Sequence, residues 1–341
     1  CRVSGSDLAP VPPELIARGL QFTLGHAPDN VPPSVQVLVH SAAVGPGNVE
    51  RQAAAQRGIQ QASYPQMLGQ LTAAIPTLAV AGTHGKTTTC GMLVHIFRAA
   101  GFAPSHLYGA TPLASSIQGR AADAPLSGGY FGRDPLLVAE ACEFQRNFLN
   151  LRPQAAAVLA VEQDHFDCFA DLSDLQRAYR QFVDLLPADG LLAVWGDDPR
   201  SLALAQPPAG RRVASFGLAA HCNWRAENLR HEHGRFAFRL VRDRTPWTEI
   251  ALAVPGRHQV VNALAAAALA GEHGLPPAAI AAGLAGFPGL RRRLQRVGQI
   301  GGADVIDDYA HHPTELAAAL EAVRAVYPRR KVHLVFQPHQ A

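Results

Sequence analysis

The sequence predicts an α/β protein built on a doubly wound parallel sheet. Three observations carry that expectation. Short, wholly apolar runs alternate with amphipathic stretches along the chain. One run leads into a glycine turn followed by a helical pattern. Two others end in acidic residues or histidine, where open α/β sheets keep their ligands.

The elements follow in order. Strands are expected at residues 35–39, 77–80, 136–139, 157–161, 191–195 and 332–336, because continuous apolar runs of that length suit strands buried on both faces. Helices are expected at 87–100, 172–186, 259–273 and 313–327, the last opening on Pro313 at its first turn. Domain seams fall near 71–76 and 286–296. The polar stretch 222–254, with antiparallel strands at 236–240 and 249–254, reads as an insertion within the middle domain.

Composition narrows the function. The chain has 341 residues and a net charge of +3, from 30 basic and 27 acidic residues, which is no nucleic-acid footprint. Five scattered cysteines (1, 90, 142, 168 and 222) without a Cys-x-x-Cys pair exclude a disulfide framework and a thiolate zinc site. They point to a reducing compartment, hence a cytoplasmic location. No apolar run reaches the ~18 residues of a membrane span. The chain opens on Cys1 in what reads as the middle of a fold, so a fragment is expected.

Residues 78–89 are the most informative stretch. A buried strand turns through Gly82, Thr83, His84 and Gly85 into Lys86, Thr87 and Thr88. The glycines let backbone N–H groups approach a polyphosphate, and the helix N-terminus adds partial positive charge. Lys86 is placed for the β- and γ-phosphates, and the Thr87 hydroxyl for Mg²⁺. Val80 stands where the general phosphate-loop motif has its first glycine. The loop alone gives a nucleoside-triphosphate site and no reaction. Downstream, the strand at 136–139 ends in Glu140, followed by Glu143, and the strand at 157–161 leads to Glu162, Asp164, His165 and Asp167. Each alone could be a solvated loop residue. Past neighbouring buried strands, Glu140 and His165 converge on the loop, Glu140 with Thr87 as hard ligands for Mg²⁺ and His165 for a second ion.

Together these stretches resemble the Mur ligase family, ATP-dependent amide-bond ligases that build the peptidoglycan peptide stem. Residues 82–88 are similar to its shortened phosphate loop. Glu140-Ala141-Cys142-Glu143 is similar to its Glu-Ala-Asp-Glu Mg²⁺ segment, with Cys142 as a departure, and Asp164-His165-Phe166-Asp167 to its second metal segment. Gly256-Arg257-His258-Gln259 through Asn262 resembles the adenine-contacting stretch, with Gln259 where asparagine is usual. Gly289 to Arg293 resembles the arginine element before the last domain, where Arg292 would help hold the nucleotide. Asp307-Asp308-Tyr309-Ala310-His311-His312-Pro313-Thr314-Glu315 resembles the opening of that domain, in the branch acting on UDP-N-acetylmuramate, and Phe336-Gln337-Pro338-His339 continues it. Val3 to Asp7, Gly25-His26 and Val39 to Ala43 resemble the branch's UDP-binding part.

The resemblance implies a three-domain architecture: a partial N-terminal Rossmann-like domain over 1–73 that binds the UDP-sugar, a central ATP-binding domain with a parallel sheet over 74–293, and a truncated C-terminal Rossmann-like ligase domain from 294. It implies ATP contacts from Gly82, Thr83, His84, Gly85, Lys86, Thr87, Thr88, His258, Gln259, Asn262, Arg292 and Asp308. Mg²⁺ would be held by Thr87, Glu140 and His165, and catalysis would rest on Lys86, Glu140, His165 and His312, with Asp308 as the other candidate base. The implied substrates are UDP-N-acetylmuramate and L-alanine, joined through an acyl phosphate. The rival readings are a ligase that attaches a preformed tripeptide during wall recycling and an inactive nucleotide-binding fragment. Several family members carry a carbamylated lysine where this chain has Arg180, and its only lysines are Lys86 and Lys331.

Overall fold

The computed structural model describes residues 2–113, 128–164, 167–206 and 210–338. It divides into two compact units, 1–71 and 72–341, the division falling within a helix over Tyr64–Ala74.

The first unit is made of parallel strand pairs. β1 (Ser4–Asp7) pairs with β2 (Gln21–Leu24) across α1 (Pro13–Ala17), and β3 (Val37–His40) pairs with β4 (Gln60–Ser63) across α2 (Val49–Gln56). Parallel neighbours need such a crossover. Asn48 caps α2 by accepting hydrogen bonds from Glu50 N and Arg51 N. Ser6 Oγ and Asn30 Nδ2 then donate to the Glu50 carboxylate and fasten the helix to β1. The helix over 64–74 is α3.

The second unit follows the chain as β5 (Thr77–Ala81), α4 (Lys86–Ala99), β6 (Pro104–Leu107), β7 (Gly129–Tyr130), β8 (Asp134–Glu140), β9 (Ala155–Val158), α5 (Leu172–Asp184), β10 (Leu191–Trp195), α6 (Pro199–Leu202), β11 (Arg212–Gly217), β12 (Trp224–Glu232), β13 (Arg235–Arg242), β14 (Thr245–Pro255), α7 (His258–Glu272), α8 (Pro277–Gly286), β15 (Gln295–Ile300), β16 (Ala303–Asp307) and α9 (Pro313–Val326). Ten strands form one sheet in the order β14-β13-β12-β11-β10-β9-β5-β8-β6-β7. Pairing is parallel from β12 to β6 and antiparallel at both ends, so the expected parallel sheet is a mixed one with a parallel centre. The stretch expected as an insertion is the sheet's edge meander. β15 and β16 form a separate antiparallel hairpin before α9.

Residue size explains the packing. All of β5 and β9 is buried, and alanine dominates β9. α7 buries Ala263 and Ala265 to Ala268. These small side chains bring helix and sheet close together. α5 turns Leu175, Ala178, Tyr179, Phe182 and Val183 inward at helical spacing, and Phe148 stacks on Phe182.

β5 lies between β8 and β9, the point where the chain order reverses, and a ligand crevice opens beyond the strand ends there. Val80 pairs with Glu140 and Ala81 with Val158, so both flanking strands deliver their next residues to one place.

Two strand expectations are corrected. The strand foreseen at 157–161 leaves the ladder after Val158, because its backbone is used by the loop: Thr83 N donates to Ala160 O and Val161 N donates to Asp198 Oδ2. Residues 332–336 are no strand: they pair with none of the described strands and are exposed from His333 to Phe336. Among the described residues no helix is long and apolar enough to cross a membrane.

α4 and α8 meet closely at Gly283, whose carbonyl accepts a hydrogen bond from the buried His95 Nδ1 at 3.0 Å. A Cβ on Gly283 would fall on Ile96 Cα and 2.8 Å from its nitrogen. Gly283→Ala should therefore lower stability by about 1–3 kcal/mol, despite the roughly 1 kcal/mol that alanine gains in a helix. The urea midpoint should fall with its slope unchanged. A midpoint at or above that of the parent would mean the helices part freely.

Candidate active site

The loop between β5 and α4 depends on two missing side chains. Gly82 has φ 130° and Gly85 has φ 80°, both in the left-handed region. A Cβ on Gly82 would sit 2.6 Å from Leu159 Cβ, and one on Gly85 would fall on Asn262 Oδ1. The loop is thus seated against the segment after β9 and against α7.

Lys86 opens α4 with its side chain turned inside the loop. Nζ donates to Gly82 O at 2.7 Å, to Thr83 O at 3.1 Å and to both oxygens of Glu143 at 2.9 and 3.1 Å. Glu143 is 1% exposed. Burial pulls the Lys86 ammonium down, but the charge of Glu143, with lesser help from Glu140, outweighs it and holds the group above the usual lysine range. On one side of the loop Thr87 Oγ1 donates to Glu140 Oε2 at 2.9 Å, and Gly109 N donates to the same oxygen at 2.8 Å. These groups face a cavity of about 860 Å³ shared with Arg291, Arg292, Arg293 and Tyr309.

On the other side lies a smaller cavity of about 170 Å³, walled by the loop, α7 and α9. His84, Gly85, Thr88, His258, Gln259, Asn262, Arg293 and Asp308 line it. Asn262 Nδ2 donates to Gln259 Oε1, and Gln259 Nε2 donates to His258 Nε2, each at 3.0 Å. That leaves the proton of His258 on Nδ1, which is buried without a partner. Burial also lowers its pKa and keeps the ring neutral. Trp195, at the end of β10, adds an aromatic wall with its indole N–H on Asp197.

α9 reaches the loop through carboxylates. His84 faces Glu315 at 3.2 Å through Nδ1 and Glu162 at 3.3 Å through Nε2. Thr314 Oγ1 donates to Glu162 at 2.7 Å, and the His312 ring lies 4.6 Å from that of His84. Burial raises the Glu162 and Glu315 carboxyls, but hydrogen bonds from Thr314 and His84 outweigh it and hold both below their usual range, Glu315 at about 2.

Most of the expected site residues come together, on two sides of one loop. Thr87 and Glu140 share a cavity; His84, His258, Gln259, Asn262 and Asp308 share the other. Lys86 and His312 do not wall either cavity. Arg292 faces the larger cavity only, stacked on Tyr309 at 4.7 Å, while Arg293 lines both. Both Asp308 oxygens are occupied by Leu294 N and Ala310 N, so this carboxylate holds backbone. His165, with Phe166, lies outside the described residues, as does His339. Arg180 points its guanidinium at the carbonyls of Ala203, Leu204 and Gln206. Glu143, Glu162, Glu315, Trp195 and Arg293 were given no role from sequence; the first two follow strand ends, which was the available signal.

Sequence profiles of known families match the chain in three parts: the Mur ligase middle domain over residues 80–270, the Mur ligase glutamate ligase domain over 292–341, and the Mur ligase family catalytic domain over 1–75. The chain is 37% identical to UDP-N-acetylmuramate–L-alanine ligase of Salinibacter ruber, covering 99% of this chain and 69% of that protein. It is 38% identical to the protein of that name from a Psychrobacter species, covering 99% and 70%. Among crystal structures it is similar to a UDP-N-acetylmuramate–alanine ligase of Thermotoga maritima, with TM-score 0.81 and 23% identity over 99% of this chain and 75% of that one. A murein peptide ligase of Psychrobacter arcticus gives TM-score 0.80 and 25% identity over 96% and 72%.

Two outcomes follow from the buried charges. Glu143→Ala strands the Lys86 ammonium and should cost about 3–5 kcal/mol of stability, most of it recovered when Lys86→Met and Glu143→Leu are combined. Denaturation midpoints test this, and a Glu143→Ala protein as stable as the parent would mean that the pair contributes nothing to stability. The folded Glu315 carboxyl lies at about 2, against an ordinary glutamate value of 4.5. Its stabilisation is therefore complete above pH 4.5 and lost as pH falls through about 2, a span worth at most about 3 kcal/mol. Glu315→Gln should flatten the acid decline of stability across that window, and an unchanged decline would rule the contribution out.

Proposed function

The chain belongs to the Mur ligase family, and from that premise we propose that it joins L-alanine to the carboxylate of UDP-N-acetylmuramate with ATP, in cytoplasmic peptidoglycan synthesis. The observation that carries the reading is the phosphate loop with an oxygen-donor pair on one side and an amide-lined cavity on the other. Relatives 37–38% identical bear that activity in their names, and the chain spans about seven tenths of their length. Residues 1–73 are proposed as the UDP-sugar part, 74–293 as the ATP part and 294–341 as the start of the ligase part.

The γ-phosphoryl group passes from ATP to the muramyl carboxylate, giving an acyl phosphate and ADP. The alanine amine then attacks the acyl carbon, and inorganic phosphate leaves. Both partners of the first step are anionic, so neutralisation is the main task. The α4 N-terminus offers backbone N–H groups to the polyphosphate. Lys86 exchanges Glu143 for phosphate oxygens. The Thr87 hydroxyl and Glu140, two hard oxygen donors 2.9 Å apart, fit Mg²⁺, with His165 the further expected metal ligand. Mg²⁺, when bound, supplies positive charge to the transferring group. The unpaired His258 N–H and the Gln259–Asn262 amides suit the adenine edge. His312 and Asp308 are the two candidate proton acceptors for the amine: each Asp308 oxygen accepts one backbone N–H and keeps a further lone pair, and His312 Nδ1 would have to release the Thr314 N–H.

A second reading, attachment of a tripeptide to the same carboxylate, is favoured by the similar TM-score of the murein peptide ligase. ADP release is to be followed with ATP, Mg²⁺ and UDP-N-acetylmuramate, adding L-alanine or L-Ala-D-Glu-diaminopimelate. Turnover should require L-alanine; turnover with the tripeptide alone would select the second reading. Lys86→Ala should cut ADP release by at least about 100-fold, measured below the melting transition of the variant because the substitution leaves Glu143 buried without its counter-charge. Undiminished release would refute the phosphate-loop assignment.

A further inference from the structure

The Thr87–Glu140 pair is not the only group of donors beside the loop. His84, Glu162 and His312 offer two imidazoles and a carboxylate whose donor atoms all lie within 4.8 Å of one another. The His84 Nε2 to Glu162 Oε2 distance is 3.3 Å and the His312 Nδ1 to Glu162 Oε2 distance is 3.8 Å. Donors bound to a tetrahedral ion at about 2.0–2.2 Å stand roughly 3.4 Å apart. Two of the three edges therefore already match to within a few tenths of an ångström. We propose that these three residues bind a transition-metal dication of the Zn²⁺ class.

The donor chemistry sets the class. Two imidazoles and one carboxylate form a borderline set that suits Zn²⁺ and Co²⁺, unlike the hard oxygens of Thr87 and Glu140. The set is also backed. Glu315 stands behind His84 at the opposite ring nitrogen, the carboxylate–histidine arrangement that orients metal ligands. Thr314 Oγ1 fixes the Glu162 carboxylate. His312 Nδ1 accepts the Thr314 N–H at 3.3 Å, so its lone pair is on the nitrogen that faces Glu162, and the ion takes the place of that long hydrogen bond. Three protein ligands leave a fourth position for water or a phosphate oxygen. Since His84 and Glu162 line the smaller cavity, that position opens towards it.

A bound ion would tie together the phosphate loop, the segment after β9 and the start of α9. It would also occupy the lone pair of His312, one of the two candidate acceptors of the amine proton on the ligase reading. Where His312 is that acceptor, such an ion is an inhibitor of the ligase, but its binding requires neither nucleotide nor turnover.

The test is Co²⁺ binding to the metal-free protein, without nucleotide and in excess Mg²⁺. The visible absorption of four-coordinate cobalt should saturate at one equivalent. His84→Gln, Glu162→Gln and His312→Gln should each weaken binding by at least about 100-fold, and Glu315→Gln by about 10–100-fold. Thr87→Val should leave it unchanged. Thermal melts verify folding, and the isosteric Glu162→Gln keeps the test valid if a histidine variant unfolds. No stoichiometric band in the parent would overturn the site. So would a thiolate-to-cobalt band, or loss of binding in His165→Gln with binding kept in Glu162→Gln.

Discussion

The contact between Lys86 and Glu143 is the one on which the rest of the site depends. A lysine charge buried at the start of α4 is tolerable only with a counter-charge at hydrogen-bond distance. Glu143 supplies it from the turn that follows β8, with both oxygens engaged. The two central strands are thereby locked together beyond their ends, and the loop closes over the ammonium through the carbonyls of Gly82 and Thr83. A polyphosphate that takes over Lys86 offers the lysine comparable negative charge, so the exchange replaces one satisfied ion pair with another. Glu143 thus fixes the shape of the loop through the Lys86 ammonium.

With the loop fixed, the fold assigns different chemistry to its two sides. β8 brings Glu140 beside Thr87, with the arginines and Tyr309 across the larger cavity. The segment after β9 brings Glu162 to the other side, where α7 contributes a chain of amides and an unpaired imidazole N–H. A triphosphate threaded past the loop would meet neutral hydrogen-bonding groups at its base and cations and oxygen donors at its reacting end. Arg180 is excluded from this division, because its guanidinium satisfies backbone carbonyls elsewhere.

Much of this was legible in the sequence, for identifiable reasons. Buried parallel strands announce themselves as apolar runs, and Gly82, Gly85 and Lys86 sit at fixed offsets from one. Pro313 made the start of α9 readable, and α5 begins where its amphipathic pattern begins, with Asp171 found as its cap. What escaped was whatever depends on a distant partner. α8 is apolar and rich in Ala and Gly, so it carries no amphipathic signal and is defined by contact with α4. The loss of strand after Val158 follows from Thr83 and Asp198 claiming its backbone, a long-range event. Glu315 was visible as a residue, but its bond to His84, 231 positions away, was not.

The connection into the last segment shows why this site needs more than the sheet. Gly289, Arg292 and Leu294 all have positive φ, at 92°, 59° and 48°, and only the first is glycine. Non-glycine residues persist there only when their surroundings over-determine them. Here Asp308 accepts Leu294 N, Gln295 accepts Arg292 N, and Tyr309 donates its own N–H to Arg292 O beneath two stacked guanidiniums. A few hydrogen bonds therefore hold strained backbone between the larger cavity and α9. Exchanging those few bonds would let the segment reorient without disturbing the core. The carboxylates of Glu162 and Glu315 hold the other end of that segment against His84 in the phosphate loop. Any movement at the joint would therefore be felt at the loop, the kind of coupling that closure over a water-sensitive intermediate requires.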